Sequence, residues 1–150
     1  MPANTDPIFT KNVRTGSVLA TAANTSSQGG GTIGTDMFLV VTADATNGSL
    51  IRRIRLIPTA TAPTATTATV GRLFISTVSS GATTSANTFL FAEVVLPVIN
   101  ADNATSASLY IEVAVNDGFT LQAGHSILFS NHAAPAANSA WRATALLGDF

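Results

Sequence analysis

Two histidines, eight carboxylates and seven basic side chains are all the ionisable chemistry this 150-residue chain can offer. His125 and His132 invite a metal reading, because neutral imidazole is a common zinc ligand. They stand seven residues apart with no Asp, Glu or Cys between them, so a third ligand would have to come from elsewhere. The pattern predicts two loop histidines, no metal and no cofactor. Thiolate chemistry is excluded by the absence of cysteine. No Gly-x-Ser-x-Gly elbow presents a serine nucleophile. Asp36, Asp44, Asp102, Asp117 and Asp149 mostly fall in or beside turns, where Asp bonds the local backbone rather than sharing a cleft with a second acid. Gly29-Gly30-Gly31 lacks the Gly-Lys-Ser/Thr ending of a phosphate loop. These residues argue against an enzyme and against a small-molecule substrate.

One charge cluster stands out, Arg52-Arg53-Ile54-Arg55. On a strand, Arg53 and Arg55 point one way and Arg52 the other. Three cations without supporting lysines or interleaved aromatics make a poor phosphate track, and the net charge of −1 offers no basic footprint for nucleic acid. Arginine suits bidentate pairing at protein interfaces, so Arg52, Arg53 and Arg55 read as subunit-interface candidates. Trp141, the sole tryptophan, alternates with Ala143, Ala145 and Leu147 on one strand face, which assigns it to a core or an interface. An exposed Trp141 would instead favour a sugar platform.

The elements that must carry these residues are β-strands. Short β-branched and aromatic runs recur at Asp36–Ala43, Leu50–Ile57, Thr69–Val78, Thr88–Leu96, Ser108–Val115, Phe119–Leu121, Ser126–Ser130 and Ala140–Leu147, with Gly, Asn and Pro between them. Pro58 stops the second run. Asn116-Asp117-Gly118 is a tight hairpin turn, since Asp-Gly accepts positive φ. About eight strands at this spacing, with long linkers at Thr59–Ala68 and Pro97–Ala107, predict an all-β jelly-roll or Greek-key sandwich. Residues 1–34 read as an N-terminal arm and Gly-rich linker, including a further strand at Val13–Thr21 and a flexible stretch at Ser26–Thr32, followed by a single domain over 35–150. A hairpin around Ser79–Ala86 sets Arg72 opposite Glu93, Phe74 opposite Phe91 and, on the other face, Ile75 opposite Leu90. No apolar run approaches the length of a membrane span.

Pro7-Ile8-Phe9-Thr10, Val70-Gly71-Arg72-Leu73-Phe74-Ile75, Phe91-Ala92-Glu93-Val94 and the closing Leu147-Gly148-Asp149-Phe150 resemble small proteins encoded among the head genes of tailed phages. Those look like capsid decoration, or cement, proteins with a jelly-roll fold. The resemblance implies a homotrimer on the outer surface of a phage head, assembled in the host cytoplasm, that ties major capsid protein subunits together. The net charge of −1 and the lack of a span-length apolar run predict no nucleic-acid and no membrane partner. The apolar tip Pro7, Ile8 and Phe9 would then touch the capsid or a neighbouring subunit. The competing expectation is a receptor- or carbohydrate-binding module of a tail fibre or spike.

Overall fold

Runs of alternating apolar residues too short for a helix bury one face only when paired, and pairing is what they do. The structure, a computed structural model, describes residues 10–102, 109–115 and 118–150. It is all-β, with several antiparallel sheets as a β-sandwich requires, and no helix occurs among the described residues. The strands are β1 (Asn12–Ala20), β2 (Gly31–Ile33), β3 (Phe38–Thr42), β4 (Ser49–Ala60), β5 (Thr64–Ala65), β6 (Thr69–Ser76) and β7 (Gly81–Thr83), then β8 (Thr88–Leu96), β9 (Asn100–Ala101), β10 (Ile111–Val113), β11 (Phe119–Leu121), β12 (Ser126–Asn131) and β13 (Ser139–Asp149). One sheet runs β1-β13-β4-β10, with β11 also on β4; the other runs β3-β12-β6-β8. Ile51, Ile54, Leu56, Trp141, Ala143 and Leu147 of the first share one core with Val40, Leu73, Ile127 and Phe129 of the second.

The linkers are more structured than their composition implies. Gly81–Thr83, inside the expected hairpin loop, pairs with Gly31–Ile33, and Thr64–Ala65 pairs with Asn100–Ala101. Two- and three-residue pairings carry no readable periodicity. The stretch expected to be flexible at Ser26–Thr32 is ordered by its surroundings. Asn24 Nδ2 donates to the Gly30 carbonyl at 2.9 Å, and Ser26 Oγ accepts from the Gly30 amide at 3.1 Å. A Cβ on Gly31 would lie 2.5 Å from Asn24 Nδ2 and 2.6 Å from Met37 Cγ, so glycine is there for close packing. Within residues 1–34, Asn12–Ala20 is the edge strand of the first sheet, paired with β13 along its whole length.

Three further expectations are corrected. β4 runs through Pro58 to Ala60, because β10 reaches no further along it than Leu56 and a strand proline is tolerated at an edge. A bulge between Leu73 and Phe74 shifts the β6–β8 register by one. Arg72 still faces Glu93, but Phe74 faces Leu90 and Ile75 faces Phe89, while Phe91 is the extra residue. Leu109 stands outside the strand and exposed; β10 begins at Ile111. Asn116 and Asp117 of the expected turn lie outside the described residues, as does Ser108; Gly118 has φ +91° and donates its amide to Val115.

Candidate functional site

The ionic groups that the fold brings together are anchors. Arg14 on β1 donates through Nε and Nη2 to the Asp149 carboxylate at 2.6 and 2.8 Å, and through Nη2 to the Thr42 carbonyl at 2.8 Å. One side chain thus joins the edges of both sheets. The Ser49 hydroxyl also donates to Asp149. Donation from Arg14 holds the Asp149 carboxyl below its ordinary value, against burial that pushes it up, and Ser49 adds to the lowering. The same bond raises Arg14 above its ordinary value.

A second anchor is Arg72, which is buried on the outward face of β6. Its Nε donates to Glu93 at 2.7 Å, and its Nη1 donates to the carbonyls of Asn24 and Thr25 at 3.3 and 3.4 Å and to His132 Nδ1 at 3.1 Å. It ties the segment before β2 to the sheet. Nε holds Glu93 while the two Nη1 protons are shared among the two carbonyls and the imidazole, a spread that the planar fork of arginine permits. Phe74, next but one on that face, is buried with Met37 and Leu128 beneath Ile33 and Leu39.

The histidines do not meet. His125 precedes β12 and His132 follows it, so an extended strand holds them roughly 20 Å apart. Among the described residues, no group of three His, Cys, Asp or Glu could hold a metal.

Instead, the sandwich has one closed side and one open side. On the closed side β1 lies against β3, where a Cβ on Gly16 would run into the Val40 carbonyl and sit 2.7 Å from Val41 Cβ. On the open side the edges left unpaired among the described residues are β8 of one sheet and β10 with β11 of the other, bridged by Phe91 and Phe119 with ring centroids 4.8 Å apart. Around that bridge Val95 is 76% exposed, Leu109 72%, Tyr110 53% and Phe89 52%, with Leu90 and Val98 also open. An apolar edge strand of nine residues is a pairing and aggregation hazard unless something covers it. This rim is the candidate site. Sequence reasoning does not find this rim: it sets Leu90 only opposite Ile75 and singles out none of Val95, Val98 and Tyr110. The adjacent pairs Val94-Val95 and Leu109-Tyr110, which break the one-face alternation, were the available signal.

Of the interface candidates, Arg53 and Arg55 point outward from β4 with Glu112 between them, at 3.5 and 3.2 Å. Arg55 also stacks over Tyr110, 4.4 Å from the ring centroid. Arg52 is exposed at the bulge in the β4–β13 ladder. Trp141 leaves the interface set. It is 1% exposed and packed in the core, since alternation places it with Ala143, Ala145 and Leu147 on the inner face. Burial also removes it as a sugar platform. Pro7, Ile8 and Phe9 lie outside the described residues. No family model, curated protein or solved structure matches the chain.

Proposed function

We propose that this is a structural virion protein, a decoration or cement protein that sits as a homotrimer on the outer surface of a phage head and ties major capsid subunits together. The observation that carries the reading is the apolar rim on the open side, where Phe89, Leu90 and Val95 stand on β8, a sheet edge unpaired among the described residues. Copies or neighbours that cover this edge remove water from apolar surface and occupy unpaired backbone groups in one step. Threefold repetition of modest contacts would make attachment to a shell effectively permanent.

Strand order supports a jelly roll. Numbering β1, β3, β4, β6, β8, the β10/β11 pair, β12 and β13 from first to eighth, the sheets read 1-8-3-6 and 2-7-4-5. In that order each strand of one sheet is answered from the other by the long crossings of two Greek keys. The residues behind the phage resemblance also have structural work: Val70–Ile75 and Phe91–Val94 meet across the Arg72–Glu93 pair, and Leu147–Asp149 carries the Arg14 anchor. The test is to add purified protein to undecorated heads and measure co-sedimentation and survival on heating. Bound protein and a higher disruption temperature are expected. Heads that neither bind it nor gain heat resistance end the reading.

A further inference from the structure

The two outward faces of the sandwich are unlike. The face of the β3-β12-β6-β8 sheet is roofed by the segment that precedes β3, through Ile33 and Met37 on Phe74 and Leu128. The face of the β1-β13-β4-β10 sheet has no such roof among the described residues: Thr15, Ser17 and Arg53 are exposed on it. Register sets Arg53 beside Leu146, Arg55 beside Thr144 and Arg142 beside Ile57, and directly paired residues share a face. Arg53, Arg55 and Arg142 therefore stand together on one open sheet surface.

Among the described residues their charge is under-compensated. Glu112 is the one carboxylate there that an ion pair joins to these arginines. It is divided between Arg53 and Arg55, and Arg142 reaches only the Ser17 hydroxyl at 3.0 Å. Elsewhere Asp36 bonds the Thr32 amide, Asp44 caps the turn after β3, Glu93 lies on the opposite sheet and Asp149 is held by Arg14. Among the described residues this surface thus carries three guanidinium groups against one paired carboxylate. Between Thr15, Arg53, Arg55, Thr144 and Leu146 lies a recess of about 170 Å³, open to solvent, with guanidinium groups at its wall and a leucine beside them.

We propose that this face docks on an acidic protein surface, with an Asp or Glu side chain of the partner entering the recess on the β13 side of Arg53 and Arg55, opposite Glu112. The inference rests on the structural role proposed above and names the chemistry of the surface to which the protein attaches. Guanidinium forks match carboxylates bidentately, and Thr15, exposed at the recess, adds a hydroxyl for a remaining lone pair. A nucleic-acid track fits less well. Three arginines on one sheet face offer few phosphate contacts, and the Tyr110 ring that a base could stack on is already covered by Arg55.

The experiment compares the parent with the exposed-face variant Arg53→Gln/Arg55→Gln/Arg142→Gln and with Glu112→Gln, using undecorated heads, immobilised poly-L-glutamate and immobilised duplex DNA. The triple variant should bind heads and poly-L-glutamate at least about tenfold more weakly, and parent binding should fall between about 0.05 and about 0.3 M NaCl. Glu112→Gln frees both guanidinium groups and should tighten binding about threefold or more, which a misfolded variant could not do. Parent and triple variant binding heads alike would overturn the docking face and leave the cement role standing. If no form binds heads, the cement role fails, and poly-L-glutamate then decides the face alone: retention lost in the triple variant supports it, equal or absent retention overturns it. Retention on DNA stronger than on poly-L-glutamate also overturns it.

Discussion

Asp149 shows how one side chain can carry several contacts of the fold. It accepts from Arg14 on the neighbouring strand and from Ser49 at the start of β4, while Arg14 also reaches Thr42 on the opposite sheet. Because the folded carboxyl is held below its ordinary value, its contribution is fully present above the unfolded value and is lost as pH falls through the lower folded one. Asp149→Asn should therefore destabilise by about 1–2 kcal/mol near pH ~7. The difference should shrink toward pH ~2, because protonating the parent removes the same interaction. Arg14 adds no pH window of its own, since its raised value lies above the range in which the protein is studied. Urea titrations of parent and variant at both pH values test this; a gap unchanged on acidification contradicts it. Asp149, expected in or beside a turn, instead ends β13, and its partner Arg14 lies 135 residues away, a pairing that leaves no local trace.

At the level of elements, the closed side depends on how near β1 comes to β3. Gly16 allows that approach, and its proposed role is packing, since its surroundings leave no room for a methyl group. Gly16→Ala should lower stability by about 2 kcal/mol or more through forced separation of the two strands, whereas Ser17→Ala, next to it and exposed, should change stability by less than about 0.5 kcal/mol. Thermal unfolding of the two variants decides the matter; an alanine at position 16 that melts with the parent would remove this account of the closed side. Strand existence was readable along most of the chain because β12 and β13, for example, alternate or run apolar between clear turn residues. Register was readable only as far as Arg72 and Glu93. Phe91, the extra residue at the bulge beyond Leu73, packs against Phe119 on the other sheet, a contact that a hairpin considered alone cannot reveal.

For the whole molecule, the decisive property is that its two sides differ. The side where β1 meets β3 is sealed, and the side between β8 and β10 is rimmed with Val95, Leu109 and Phe89. If copies join through that rim, the charged variant Leu90→Lys/Val95→Lys should sediment as a monomer while the parent sediments as a trimer, with circular dichroism unchanged. Both substitutions lie on solvent-facing positions of an edge strand, where lysine is a common means of blocking association. Equal sedimentation of parent and variant would exclude the rim as the contact between copies. Sealing one side and opening the other follows from strand order, and strand order joins segments as distant as β1 and β13.

From the residues alone follow an all-β chain, the inward face of β13 with Trp141 upon it, and the scarcity of ionisable groups, because alternation and composition are local quantities. Tertiary structure alone decides which edges stay unpaired, which glycines are crowded, and which arginines share a face. Those depend on contacts between segments that lie far apart along the chain, and a local pattern holds no record of which segment will be the neighbour.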